Sequence, residues 1–184
     1  MIRRTLLPLI ALAMLVAAPP SLLSQPLAAP EYQLKAAFLF NFMQFVQWPA
    51  AAFDGGASPM VIVVLGADPF GEHLDELVRG ETIRGRPIVV QRHARIEDVG
   101  QCQLLYVNES DQRKLKAVLA KLARQPVLTV SDAPEFTRQG GMINFVTQDN
   151  RVRLLINVDA ATAAQLTLSS KLLRPAQIVT AGGQ

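Results

Sequence analysis

The sequence predicts a single α/β domain whose sheet is mixed but mostly parallel and carries helices on both faces. Three observations point there. Met60-Val-Ile-Val-Val-Leu65 is an unbroken, largely β-branched run ending at Gly66, the mark of a strand buried on both sides. Further apolar runs at 88–91, 102–107 and 127–130 alternate with segments of helical period. Near the end, Met142–Thr147 and Val152–Val158 flank Gln148-Asp149-Asn150, which reads as a β-hairpin and makes the sheet mixed. Half of the 184 residues are hydrophobic, 18% are charged and there is one cysteine, which excludes disorder, collagen-like repeats and a disulfide scaffold.

Residues 1–29 read as an export signal with its cleavage region. Arg3 and Arg4 precede the apolar run Leu6–Ala18, followed by a Pro- and Ala-rich stretch to Pro30. No clean cleavage motif stands out: Val16-x-Ala18 fits the small-residue rule but is followed by Pro19, and cleavage near Ala28 or Ala29 is the alternative; an uncleaved anchor and a twin-arginine signal are further readings. No cysteine lies here to be lipidated. Without this segment 16 basic and 15 acidic groups remain, so the basic pI near 9.4 belongs in part to the signal. A near-neutral domain without a Lys/Arg run lacks the electrostatic footprint of a nucleic-acid binder. Residues 30–180 form the domain and 181–184 a tail.

Glu31 to Gln47 reads as the first helix, stopped by Trp48-Pro49. At about 100° per residue, Leu34, Phe45, Phe38, Phe42, Val46, Leu39, Tyr32, Met43 and Ala36 cover an arc of about 200°. That is wider than one buried face needs, so the helix is expected to meet the sheet on one side and a second helix or another chain on the other. Lys35 falls inside this arc. Its stem either packs while the ammonium reaches water, or the cation is buried and paired with Glu31, Asp159 or a ligand anion. Phe40 is the converse, an aromatic among Gln33, Gln44 and Gln47: an incidental exposed residue or an anchor for another protein.

After the strand at 60–65, Ala67-Asp68-Pro69 leads to a helix over 70–78, with Asp68 as its cap. Pro87 opens the strand at 88–91 and Gly100 precedes the one at 102–107. Ser110 caps a helix to Ala123, which Pro126 ends before the strand at 127–130. Ser131-Asp132 is expected to cap a short helical turn through Thr137, and Gly140-Gly141 to supply a positive φ ahead of the hairpin. Asp159 then caps a helix into Leu166, and an amphipathic piece runs from Ser169 to Val179. The whole describes a three-layer, Rossmann-like arrangement. Cys102 opens a strand; a buried thiol, an intermolecular disulfide and a reactive thiol are its three readings.

Catalytic chemistry is missing. There is no nucleophile elbow, P-loop or dinucleotide fingerprint, and His73 and His93 lie on different elements without metal-spaced partners, so neither metal nor cofactor is expected. Asp68, Phe70, Ser131 and Asp132 sit at strand ends, where open α/β sheets bind ligands, and could line a small-molecule pocket.

The segment Tyr32-Gln-Leu-Lys-Ala-Ala-Phe-Leu-Phe-Asn-Phe42 with Phe45-Val-Gln-Trp-Pro49 resembles the opening signature of the YfiR-like periplasmic repressors of the YfiB/YfiN/YfiR signalling system. The likeness continues through Val63–Gly66 with Asp68–Gly71, Cys102–Val107, Pro126–Asp132, Phe136 with Gly140–Phe145, Ile156-Asn157, Asp159–Ala161 and Leu168–Leu173. It implies a non-catalytic periplasmic regulator, with the signal removed, that dimerises and represses an inner-membrane diguanylate cyclase, limiting cyclic-di-GMP and biofilm formation. An OmpA-type outer-membrane lipoprotein would relieve that repression. The chain departs from the family in its cysteines, keeping only Cys102 where disulfides occur. On this reading Phe40 and Trp48 are the expected protein contacts, and Lys35, Asn41, Asn144 and Asn157 a supporting polar network or small pocket. The alternative is a periplasmic small-ligand sensor serving a sensor kinase or transporter, its pocket near Asp68, Phe70, Ser131 and Asp132.

Overall fold

The computed structural model describes residues 28–109 and 112–180, so the signal segment up to residue 27, the Ser110 cap and the tail lie outside the described residues. Helix α1 (Ala28–Phe45) runs into a two-residue strand β1 (Val46–Gln47). There follow β2 (Met60–Gly66), α2 (Glu72–Val78), β3 (Thr82–Ile83), β4 (Arg86–His93), β5 (Leu104–Asn108), α3 (Gln112–Leu122) and β6 (Leu128–Ser131). The hairpin β7 (Ile143–Gln148) and β8 (Arg151–Asn157) leads to α4 (Val158–Ala163), β9 (Thr167–Leu168), α5 (Ser170–Leu173) and β10 (Gln177–Val179).

Eight strands form one sheet in the order β10-β8-β7-β6-β5-β2-β4-β3. The run β4-β2-β5-β6-β7 is parallel, β8 is antiparallel to β7, and β10 returns parallel to β8. The α/β layering is therefore as the sequence predicts. Alternation along the strands divides the core in two. Ile62, Val64, Leu104, Tyr106, Leu128 and Val130 face α1 and α2, whereas Val61, Val63, Leu65, Leu105 and Val107 face Leu115, Val118, Leu119 and Leu122 of α3. The spacing of those four leucines and valines is the stripe an amphipathic helix needs.

Local chemistry accounts for the junctions. Asp149 and Asn150 both hold positive φ, 50° and 58°, the turn that matches strand twist in a two-residue hairpin. Gly66 takes φ +93° against the Asn108 carbonyl, where any Cβ would collide. Four expectations need correcting. Asn157, not Asp159, caps α4, its side chain accepting from the Ala160 amide at 2.9 Å. Asp68 precedes α2 by a loop; its carboxylate accepts from the Phe70 amide at 2.7 Å and the helix starts at Glu72. Ser131 ends β6, and residues 133–140 form turns rather than a helix. The last segment is no continuous helix: Pro175 ends it and its second half becomes the edge strand β10.

Candidate functional site

Helix α1 carries two kinds of surface. Ala36, Leu39, Phe42 and Met43 are fully buried, as is Val46 just beyond the helix, while Tyr32, Phe38, Phe40 and Phe45 are half-buried against the same core. Leu34, inside the apolar arc by periodicity, is 47% exposed. Phe40 is therefore not a free aromatic on a polar face. Trp48 is further from expectation: it is buried, and its indole N–H donates to the Gln103 carbonyl at 2.9 Å. Gln103 is itself buried and its amide oxygen accepts from the Val61 amide at 2.7 Å. Trp48 thus locks the end of α1 to the sheet and presents no contact surface.

Lys35 is buried at 3% exposure, and it is paired. Its ammonium lies 2.7 Å from Glu31 Oε1, one turn back on α1, and 2.8 Å from Asp132 Oδ2, at the end of β6. Asp159 takes no part. The ammonium also sits 4.4 Å from the centroid of the Tyr32 ring, and the Tyr32 hydroxyl donates to the same Asp132 oxygen at 2.9 Å. Thr147 donates to Glu31 at 2.9 Å. Burial works to raise the Asp132 carboxyl, but the Lys35 ammonium and the Tyr32 hydroxyl outweigh it and hold it below the usual carboxylate range. Lys35 is likewise held above its ordinary value by its two carboxylates despite burial. Glu31 is lowered chiefly by its bond to Lys35.

An aromatic ladder supports this cluster. Phe70 packs edge-on against both Tyr32 and Tyr106, with centroids 5.7 and 4.7 Å apart. The Tyr106 hydroxyl is fully buried with no hydrogen-bond partner; burial, with Asp132 nearby, pushes its pKa up.

The cluster borders a cleft of about 580 Å³ that forms where β6 stops at Ser131 while β7 runs on to Gln148. Pairing between these strands ends at Ser131–Asn144. Glu31, Tyr32, Lys35 and Asp132 line one end, the turn 133–138 forms a wall, and Val146, Leu155 and Val179 lie on the other side. Asn144 fixes the wall by donating to the carbonyls of Ser131 and Ala133, and Asn157 does so by donating to Thr137. Gly141 allows the turn to close because a Cβ there would overlap the Phe136 ring.

Of the residues expected in a polar network, the structure gathers Lys35 and Asn144 at this cleft, with Asn157 bracing its wall. Asn41 is half-buried and stands outside it. Of the expected ligand loops, only Asp132 lines the cleft. Phe70 is buried beneath Tyr32, and Ser131 is buried with its hydroxyl donating to the Val107 carbonyl. Asp68 belongs to a separate surface cluster with Arg92 and Asp75. Glu31 is the Lys35 partner that the sequence offers, whereas nothing in the sequence marks Thr147 and Leu155 as site residues. Cys102 is buried, which pushes its thiol up to about 12 and leaves it unreactive. Among the described residues no group of three His, Cys, Asp or Glu side chains is placed to hold a metal ion, and no helix is long and apolar enough to cross a membrane.

The YfiR/HmsC-like family matches residues 32–177, from the Tyr32 of the charged cluster to the first residue of β10. The chain belongs to the YfiR/HmsC-like family. YfiR/HmsC-like proteins are non-catalytic periplasmic regulators, and a periplasmic regulatory role follows for this member. No curated protein is similar enough to the chain to count as a match.

Proposed function

We propose that the chain, exported with its signal removed, is a periplasmic repressor that acts, as a homodimer, on the sensory region of an inner-membrane diguanylate cyclase, and that an OmpA-type outer-membrane lipoprotein relieves it. The observation that carries this reading is family membership across residues 32–177. The surface of α1 supports it: Leu34 stands exposed beside the half-covered Phe38 and Phe45 on one face of the helix, an apolar surface with room for a partner chain. Repression requires a preference for the inactive state of the cyclase, since equal affinity for both states shifts nothing.

The test is cross-linking of the tagged, exported protein in its own cells, with mass spectrometry of captured membrane proteins. A membrane diguanylate cyclase is the expected catch, lost when Leu34→Glu is introduced. Capture of a sensor kinase or transporter instead would overturn the reading. It would favour a periplasmic ligand sensor, which the cleft beside Lys35 supports. For that sensor, ligand at 100 times Kd adds about 2.7 kcal/mol to stability.

A further inference from the structure

We propose that the cleft between β6 and β7 binds a small organic cation, a primary ammonium with an apolar body, on the free oxygens of Asp132 and Glu31. The inference goes beyond the repressor reading and does not depend on it. Lys35 and Tyr32 both bind Asp132 through Oδ2, and Lys35 and Thr147 both bind Glu31 through Oε1. The hydrogen bonds of the described residues within 3.5 Å end on those two oxygens and not on Asp132 Oδ1 or Glu31 Oε2, although a carboxylate has about four acceptor sites; the Tyr106 hydroxyl is a further protein group that interacts with Asp132. Both residues line the cleft.

The charge count selects the sign of the ligand. The charged residues lining the cleft are Glu31, Asp132 and Glu135 with Lys35 and Arg138, a net charge of −1. Arg138 is tied to Glu135 at 2.9 Å, and two of the three Lys35 donors are given to carboxylates while the ammonium lies against the Tyr32 ring. An anion would have to dismantle these pairs; a cation completes them. Beneath the cluster, outside the cleft lining, the fully buried Tyr106 hydroxyl lies close to Asp132 and Tyr32 and closes the floor of the site to water. On the opposite side, Val146, Leu155 and Val179 are half-buried aliphatics that belong to neither hydrophobic core. They supply the apolar wall for the body of the ligand. A cleft of about 580 Å³ lies within the range that small-molecule sites occupy.

The probe pair is phenethylamine and phenylacetate, alike in shape and opposite in charge, titrated at millimolar concentration into the isotope-labelled full mature chain and followed by amide NMR. Phenethylamine is expected to move the resonances of Asp132, Val146, Leu155 and Val179 saturably and to raise the Tm, while phenylacetate does neither. Asp132→Asn should weaken the amine at least tenfold. Because that variant also disturbs Lys35, Leu155→Trp serves as the second: it fills the cleft, leaves the ion pairs in place, and should abolish the shifts in a folded protein. Binding of phenylacetate as tight as that of the amine, shifts confined to other surfaces, or no saturable shift with phenethylamine would each overturn the proposal. None of these outcomes bears on whether the chain captures a cyclase.

Discussion

The molecule contains the same charge arrangement twice, one cation between two carboxylates, in two different solvents. Lys35 lies between Glu31 and Asp132 at 3% exposure, inside α1 and the end of β6. Arg92 lies between Asp68 and Asp75 at 36% exposure, on the surface of β4, with Asp68 at 2.6 Å. The guanidinium also donates to the Gly71 carbonyl at 2.9 Å, so it staples the β2–α2 loop to the sheet. In water such an arrangement contributes little, because each charge was already solvated and the pair is screened. Where the cation is buried the pairs are obligatory: without its carboxylates Lys35 is left desolvated and uncompensated, and without Lys35 the two partly buried carboxylates are left beside each other. The trio around buried Lys35 therefore fixes where α1 sits over the sheet, and it is the one whose carboxylates line a cleft.

The sharpest way to break this comparison is Lys35→Met. It should cost about 3–5 kcal/mol in urea unfolding, since Asp132 and Glu31 are left facing each other without their cation. The double variant Lys35→Met with Asp132→Asn should recover much of that loss. A single-variant cost below about 1 kcal/mol would place Lys35 with Arg92 in the surface class.

Tyr32→Phe should cost less, about 1.5–3 kcal/mol, for one hydrogen bond to a charged acceptor. The pH dependence has a defined sign. Asp132 and Glu31 are depressed in the folded state, so their contribution is present above the unfolded carboxylate value of about 4 and is lost as pH falls through the folded values. Lys35 is raised, so its contribution is complete below about 10.4 and is lost as pH rises through its folded value. Lys35→Met should flatten the stability profile on both flanks, measured by urea midpoints across pH. The smallest effect belongs to Arg92→Ala, about 1 kcal/mol or less, shrinking further in high salt.

The fold was legible because it depends on patterns that a sequence displays directly. The unbroken run at 60–65, the stripe of α3 and the Asp149-Asn150 turn each need only near neighbours to be read. The site was legible by half. Lys35 stands out because a charge inside an apolar arc violates the period, and Glu31 is within reach one turn away. Its second partner, Asp132, is 97 residues distant, and nothing local marks it as an ion-pair member rather than a cap. Trp48 shows the opposite failure. A tryptophan before a proline looks like an exposed anchor, and only the fold brings its indole to the carbonyl of Gln103, 55 residues away. Phe40 stands among the exposed glutamines where the period places it, but its ring is half-buried against the core, a contact that the sequence does not display. The strand β10 was missed because its pairing with β8 is set by the sheet, while its composition suits a helix equally well.

The most direct test of the functional account is the cellular level of cyclic-di-GMP in the native organism with the gene removed and then restored. Loss of the protein should raise the level, and re-expression of the exported wild type should bring it back down, with Leu34→Glu failing to do so although it folds. An unchanged level in the deleted strain, with its diguanylate cyclases intact, would contradict the account.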